Sequence, residues 1–187
     1  NEIYKSSLRS WKKIVQSYVL ENTDFLIQLL PEMEFVLKGT QLLRTLSSHG
    51  FDLCIPNFAP MDKRVLNARE LYNPAVALKL PEGEEIVSND IDFSSDDTLV
   101  YVLTGPNRGG KSVITCAVGI GMCMMQLGMF FPAKEATVSP ADGIYTHFPT
   151  GAEDTIDKGR LGEECARLVE IFGCVTKHSL VLLDESL

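Results

Sequence analysis

The stretch Gly105-Pro106-Asn107-Arg108-Gly109-Gly110-Lys111-Ser112 limits what this chain can fold into more than any other part of it. It fits G-x-x-x-x-G-K-[ST], and its flanks fit as well: an apolar run over 99–104 enters it and a helical pattern over 110–125 leaves it. Glycines in such a turn let successive backbone N–H groups converge on an anion without Cβ clashes. The helix that starts there adds the partial positive charge of its N-terminus. The expected ligand is ATP, with Lys111 reaching the β- and γ-phosphates and the Ser112 hydroxyl ligating Mg2+.

A second feature follows downstream. Leu180-Val181-Leu182-Leu183 is a wholly apolar strand that ends on Asp184 and Glu185. In a parallel sheet that end opens into the crevice where ligands bind. Asp184 is expected to hold Mg2+ and Glu185 to orient or deprotonate the attacking water. Alone, two acids closing a strand merely solvate a loop. Behind a phosphate loop in the same α/β unit, they favour hydrolysis over mere binding. No Asn-Lys-x-Asp base-recognition motif of the GTPase kind is seen in the sequence.

The rest of the chain fits one sizeable core with an appendage. Helical spacing over 6–20 places Leu8, Trp11, Ile14, Val15 and Tyr18 on one face, and a second helical pattern runs from 23 to 48. A break is expected at Glu21-Asn22 and a kink at Pro31. Pro56, Asn57 and Pro60 then punctuate a connection. Beyond it short apolar strands, including 144–148, alternate with helices such as 162–175. The expected organisation is a helical arm over 1–53, a connection over 54–67 and an α/β nucleotide-binding domain over 68–187, built on a mostly parallel sheet covered on both faces.

Charge and cysteines narrow the setting. With 17 Lys and Arg against 25 Asp and Glu, and a net charge of −8, the chain is a poor candidate for a broad nucleic-acid-binding face. Its five cysteines are odd in number and lack CxxC spacing. They are expected to be reduced, mostly buried thiols of a cytoplasmic protein. Residues 112–133 carry no charge and are long enough to span a bilayer. Gly119, Gly121, Gln126 and Gly128 interrupt the run, and a helix buried against a sheet, then a turn at Gly128 and a short strand, explains it better than a membrane span. There is no signal-peptide pattern, and both ends are expected to be cut from a larger protein.

The loop Thr104-Gly105-Pro106-Asn107-Arg108-Gly109-Gly110-Lys111-Ser112 closely resembles the T-G-P-N-x-G-G-K-S loop of the MutS family of mismatch-repair ATPases. Other stretches resemble that family in order: 68–74 (Ala-Arg-Glu-Leu-Tyr-Asn-Pro), 86–91 (Ile-Val-Ser-Asn-Asp-Ile), Phe131-Pro132-Ala133, 140–146 (Pro-Ala-Asp-Gly-Ile-Tyr-Thr) and 179–185 (Ser-Leu-Val-Leu-Leu-Asp-Glu). The resemblance runs from about 68 to 185, and the helical part before it corresponds to a core and lever segment. It implies a P-loop NTPase of the ABC-ATPase type that forms a head-to-tail homodimer with nucleotide at the interface. It also implies a role in mismatch repair or related DNA damage processing in the cytoplasm or nucleoid of a bacterium. Double-stranded DNA would be held mainly by regions outside this chain, and the piece alone should hydrolyse little ATP.

Three departures from the family pattern stand out. Ile86 occupies the place of an adenine-stacking aromatic, so the contact becomes aliphatic, helped by Tyr72; either residue equally fits a core position. The signature loop reads Gly159-Arg160-Leu161-Gly162-Glu163-Glu164 without a hydroxyl, leaving the Gly162 backbone N–H or Arg160 to meet a partner's γ-phosphate. The glutamine expected after the Pro-Ala pair is Lys134.

His49, His147 and His178 lack companions at metal-ligand spacing and are expected in core or surface roles. Met122, Met124 and Met125 should fill the packing face of the post-loop helix. Asp90, Asp92, Asp96 and Asp97 lack the glycine and terminal glutamate of a Ca2+ loop and are expected in a solvated turn. Two rival readings remain: an ABC-type ATPase of another kind, such as a transporter or chromosome-organising head, and a non-catalytic module that uses ATP only to dimerise. A transporter head should carry L-S-G-G-Q, which 159–164 does not.

Overall fold

The structure, a computed structural model, describes residues 2–81, 83–94, 99–148 and 158–184. It divides into two units, one ending at Arg44 and one beginning at Thr45. The first is helical. Helix α1 (Glu2–Ser48) runs without interruption through positions 21 and 22, and Pro31 lies inside it. The expected break is therefore absent. Glutamate is a good helix former and asparagine costs only a fraction of a kcal/mol, so without a glycine or proline the pair does not force a stop. Trp11, Ile14, Val15 and Tyr18 are all exposed.

In the second unit, β1 (Asn57–Phe58), β2 (Leu66–Leu71), β3 (Asn89–Phe93) and β4 (Glu135–Val138) form one sheet in the order β1-β4-β2-β3. β1 runs parallel to β4, whereas β2 runs antiparallel to both β3 and β4. A second sheet pairs β5 (Ile144–His147) with β6 (Leu180–Leu183) in parallel, from Ile144 opposite Leu180 to His147 opposite Leu183. Between them lie the short α2 (Pro74–Ala77), the 16-residue α3 (Lys111–Gln126) and α4 (Lys158–Cys174). Among the described residues the fold is thus α/β with one mixed four-stranded sheet and one parallel pair, in place of the expected single, mostly parallel sheet.

The expected strand over 99–104 is not formed. Those residues have no ladder partners among the described elements, and Leu99, Val100 and Val102 are exposed. A strand is defined by the neighbour it pairs with, so an apolar run does not make one by itself. Tyr101 of this segment packs on Phe93 of β3, with ring centroids 4.2 Å apart.

Helix α3 packs where its sequence is smallest. A Cβ on Gly119 would lie 2.7 Å from Leu182 Cδ1, and one on Gly121 would lie 2.9 Å from the Phe131 ring. The two glycines that interrupt the apolar run therefore let β6 and Phe131 approach the helix backbone. Met122 and Met125 join Ala117, Val118, Leu66, Leu71, Phe131 and Val138 in the core. After α3 the chain turns at Gly128, whose φ of 76° suits glycine, and Phe131 then exchanges backbone hydrogen bonds with Cys54. All five cysteines are free, but none is buried: Cys54 and Cys116 are partly buried, while Cys123, Cys165 and Cys174 are exposed. Asp90 and Asp92 stand on β3 and not in a turn, while residues 95–98 lie outside the described part. Among the described residues no helix is long and apolar enough to cross a membrane.

The register of β5 on β6 is fixed at its entry. The Asp142 carboxylate accepts hydrogen bonds from the hydroxyls of Thr176 and of Ser179, the latter at 2.7 Å, while Leu180 N–H bonds Gly143 O at 2.9 Å. The Thr176 and Ser179 hydroxyls, in that order, hold the Asp142 carboxyl below the usual range. A carboxyl lowered in the folded state contributes stability above its unfolded value, about 3.9, which is lost as pH falls through the folded one. Asp142→Asn should therefore flatten the loss of stability below about pH 4. Denaturant midpoints between roughly pH 2 and 5 would check it; parallel curves for both proteins would refute it.

Candidate functional site

The phosphate loop lies exposed at the head of α3. Gly109 N–H bonds Pro106 O at 3.0 Å and closes the loop on itself, and a Cβ on Gly109 would lie 2.8 Å from that same oxygen. Only glycine fits there. The left-handed positions are Arg108, at φ 64°, and Gly110, at φ 84°. Arginine in that region is strained by roughly 1 kcal/mol or more, the kind of outlier that concentrates at functional sites. Gly110 is the N-cap of α3 and offers no side-chain cap to the first turn. The helix thus begins with N–H groups that its own cap residue does not satisfy, the arrangement that favours an anion.

Lys111 folds back over the loop. Its Nζ donates to Gly105 O at 2.8 Å and Pro106 O at 2.9 Å, which holds a positive charge against the loop. Ser112 follows on the exposed side of the first turn. Asp184 is buried immediately after β6, with its N–H bonded to His147 O at 2.9 Å. Burial raises the pKa of the Cys116 thiol, and the Asp184 charge adds to that rise. Cys116 stands four residues after Ser112, on the same helix face. β6, which ends just before Asp184, packs on α3 through Leu182 at Gly119. Glu185 lies outside the described residues.

The loop fits a nucleotide phosphate on its own geometry: a turn that only glycine can close, an uncapped helix start and a folded-back ammonium. The Ser112 hydroxyl and the Asp184 carboxylate are the oxygen donors that Mg2+ takes.

Other expected site residues fall elsewhere. Ile86 is half-buried in the segment before β3. Tyr72 is only 3% exposed, its ring rests on Phe51 with centroids 5.4 Å apart, and its hydroxyl has no partner. Burial raises its phenol pKa strongly, with the Asp52 charge adding. It occupies a core position. Gly159, Arg160, Leu161 and Gly162 form the first turn of α4. Lys134 is bound to Glu70 Oε1 at 2.7 Å, and this bond raises its ammonium pKa. Glu70 itself has a φ of 52° in a β-bulge, and its N–H bonds Asp90 Oδ1 at 2.9 Å. His147 is buried with an unpartnered Nδ1, and the Nδ1 of His178 is likewise buried without a partner. No group of three metal-ligating side chains occurs among the described residues.

One residue escaped the sequence reading. Asn73, only 6% exposed, caps α2 through Oδ1, which accepts from Ala75 N at 2.9 Å and Val76 N at 3.3 Å. Its Nδ2 donates to Val113 O, in the first turn of α3, at 3.0 Å. The Asn-Pro pair was a legible signal for the cap. The second bond, across 40 residues, had none.

Residues 101–186 match the family model described as MutS domain V. The chain is 39% identical to the DNA mismatch repair protein Msh3 of Homo sapiens over 136 residues, 72% of this chain and 12% of that protein. It is 31% identical to the DNA mismatch repair protein MSH3 of Meyerozyma guilliermondii over 204 aligned positions, 99% of this chain and 20% of that protein. With the DNA mismatch repair protein MutS of Leptospira interrogans it shares 31% identity over 124 residues, 66% of this chain and 15% of that protein. The chain thus spans no more than 20% of the length of these relatives.

Proposed function

The chain belongs to the MutS family, and from that premise we propose that it is the ATP-binding and ATP-hydrolysing part of a clamp on double-stranded DNA. The clamp would act in mismatch repair or related DNA damage processing. The observation that carries this reading is the closed glycine turn at the head of α3 with the Lys111 ammonium folded over it.

In this reading the backbone N–H groups of Gly105 and of 107–112, with Lys111, would hold the phosphates, Ser112 and Asp184 would hold Mg2+, and Ile86 would contact the adenine. Tyr72 is left to the core. Bound Mg2+ supplies charge neutralisation at the phosphate oxygens. Glu185 orients a water for in-line attack on the γ-phosphorus and accepts its proton, while the bond from the γ-phosphorus to the β–γ bridging oxygen breaks and ADP leaves with that oxygen and its electron pair. The sheet beneath is of the ABC-ATPase kind, and the first turn of α4 serves the nucleotide of a second subunit in a head-to-tail homodimer, through Arg160 or the Gly162 N–H. The net charge of −8 agrees with DNA contacts lying mainly in other parts of the protein.

The first test is the lifetime of the full-length protein on matched, mismatched and branched DNA, with and without ATP, at fixed salt. ATP should change that lifetime. Glu185→Gln should lower turnover by roughly 100-fold or more while ATP still binds, prolonging the ATP-bound state. ATP hydrolysis with no DNA retained under any nucleotide would remove the clamp. The missing hydroxyl in Gly159-Arg160-Leu161-Gly162 favours a second reading, a module that binds ATP only to dimerise. Wild-type turnover no faster than that of Glu185→Gln would select it.

A further inference from the structure

We propose that Asn73 is a positioning residue of the nucleotide site, tying the entry of α2 to the first turn of α3 and so setting where the phosphate loop stands. This inference rests on the nucleotide-site reading above.

The loop 105–112 is exposed apart from the half-buried Lys111, and the apolar segment leading into it has no strand partner among the described residues. The loop is therefore held chiefly from its far side, by α3. Further along, α3 is wedged by Leu182 at Gly119 and by Phe131 at Gly121. Its first turn lies two turns from those contacts, and Val113 there is exposed on its side chain. The Asn73 amide supplies a bond at that turn.

Asn73 is itself rigidly held. Its Oδ1 accepts two N–H groups of α2, which leaves the NH2 group aimed at Val113 O. Behind it the chain is locked by Tyr72 N–H on Pro132 O at 3.2 Å and by the Glu70 bulge. A buried amide that makes three hydrogen bonds to two different elements fixes their relative rotation more sharply than packing does. Loop amides and the Lys111 ammonium depend on that rotation, because sub-ångström placement governs how well preorganised donors meet an anion.

A cap alone needs only the acceptor, so the two roles separate by chemistry. Asn73→Asp keeps the acceptor and removes the donor. Asn73→Ser keeps a shorter cap that cannot span to Val113 O. In the full-length protein, both should raise the Kd and KM for ATP about fivefold, the factor expected for one hydrogen bond. The thermal midpoint should stay close to wild type, and kcat should change less than KM. Amide hydrogen exchange at 114–117 should quicken by a similar factor without nucleotide.

Wild-type ATP affinity in both variants, with unchanged exchange at 114–117, would overturn the proposal and leave Asn73 a cap of α2. Loss of affinity only in proportion to a fall in thermal midpoint would overturn it too. If the wild-type protein fails to bind ATP, the nucleotide reading falls, and the exchange data alone then decide whether the tether holds α3.

Discussion

Lys111→Ala is expected to lower ATP turnover of the full-length protein by roughly 100-fold or more, and to erase any effect of ATP on its lifetime on DNA. Its ammonium braces the loop through the Gly105 and Pro106 carbonyls, and its stem lies 4.0 Å from where a Gly105 Cβ would be. The charge thus sits on the loop itself, and in the proposed function its removal takes away the donor meant for charge developing in the transition state. The residue is solvent-accessible, and surface substitutions of this kind change stability by about 0.5 kcal/mol or less. An unchanged thermal midpoint beside abolished turnover is therefore the expected pair of results. Turnover within threefold of wild type, measured as phosphate release, would sink the catalytic assignment.

Phe131→Ala should produce the largest loss of stability, about 3–5 kcal/mol. The ring is fully buried and is the largest of the fully buried side chains. It lies against Gly121, where an added Cβ would come within 2.9 Å, and its backbone is bonded both ways to Cys54. Truncation opens a void directly beneath α3, and the helix backbone there cannot sink to fill it because Leu182 holds it at Gly119. The thermal midpoint should fall by on the order of 10 °C. Phe131→Leu, which leaves a smaller void, should lose less. A midpoint unchanged in Phe131→Ala would show that α3 is not seated on this ring.

These two predictions differ in how far the sequence alone could support them. Lys111 was legible at once, because the phosphate loop is a contiguous motif whose chemistry is local. Phe131 was legible only as part of a family-like Phe-Pro-Ala stretch; its role as the seat of α3 depends on Gly121, ten positions earlier. The same glycines read in the sequence as interruptions of an apolar run, and in the fold they are the points of closest approach.

What the sequence determined was whatever is encoded within a turn or two of chain: the glycine turn and its lysine, the helix that follows, the strand over 180–183 with Asp184 behind it, and the core-facing Met122 and Met125. These rest on local sterics, short periodicities and side-chain chemistry, which neighbouring residues carry in full. The tertiary structure decided the pairings. It left 99–104 without a ladder and made the four-stranded sheet mixed. It bound Lys134 to Glu70, Asp142 to Thr176 and Ser179, and Asn73 to Val113. Each of these joins residues that lie 34 to 64 positions apart. Which of many polar groups meets which is settled only when the chain packs, because a buried donor must find whatever acceptor the fold brings to it.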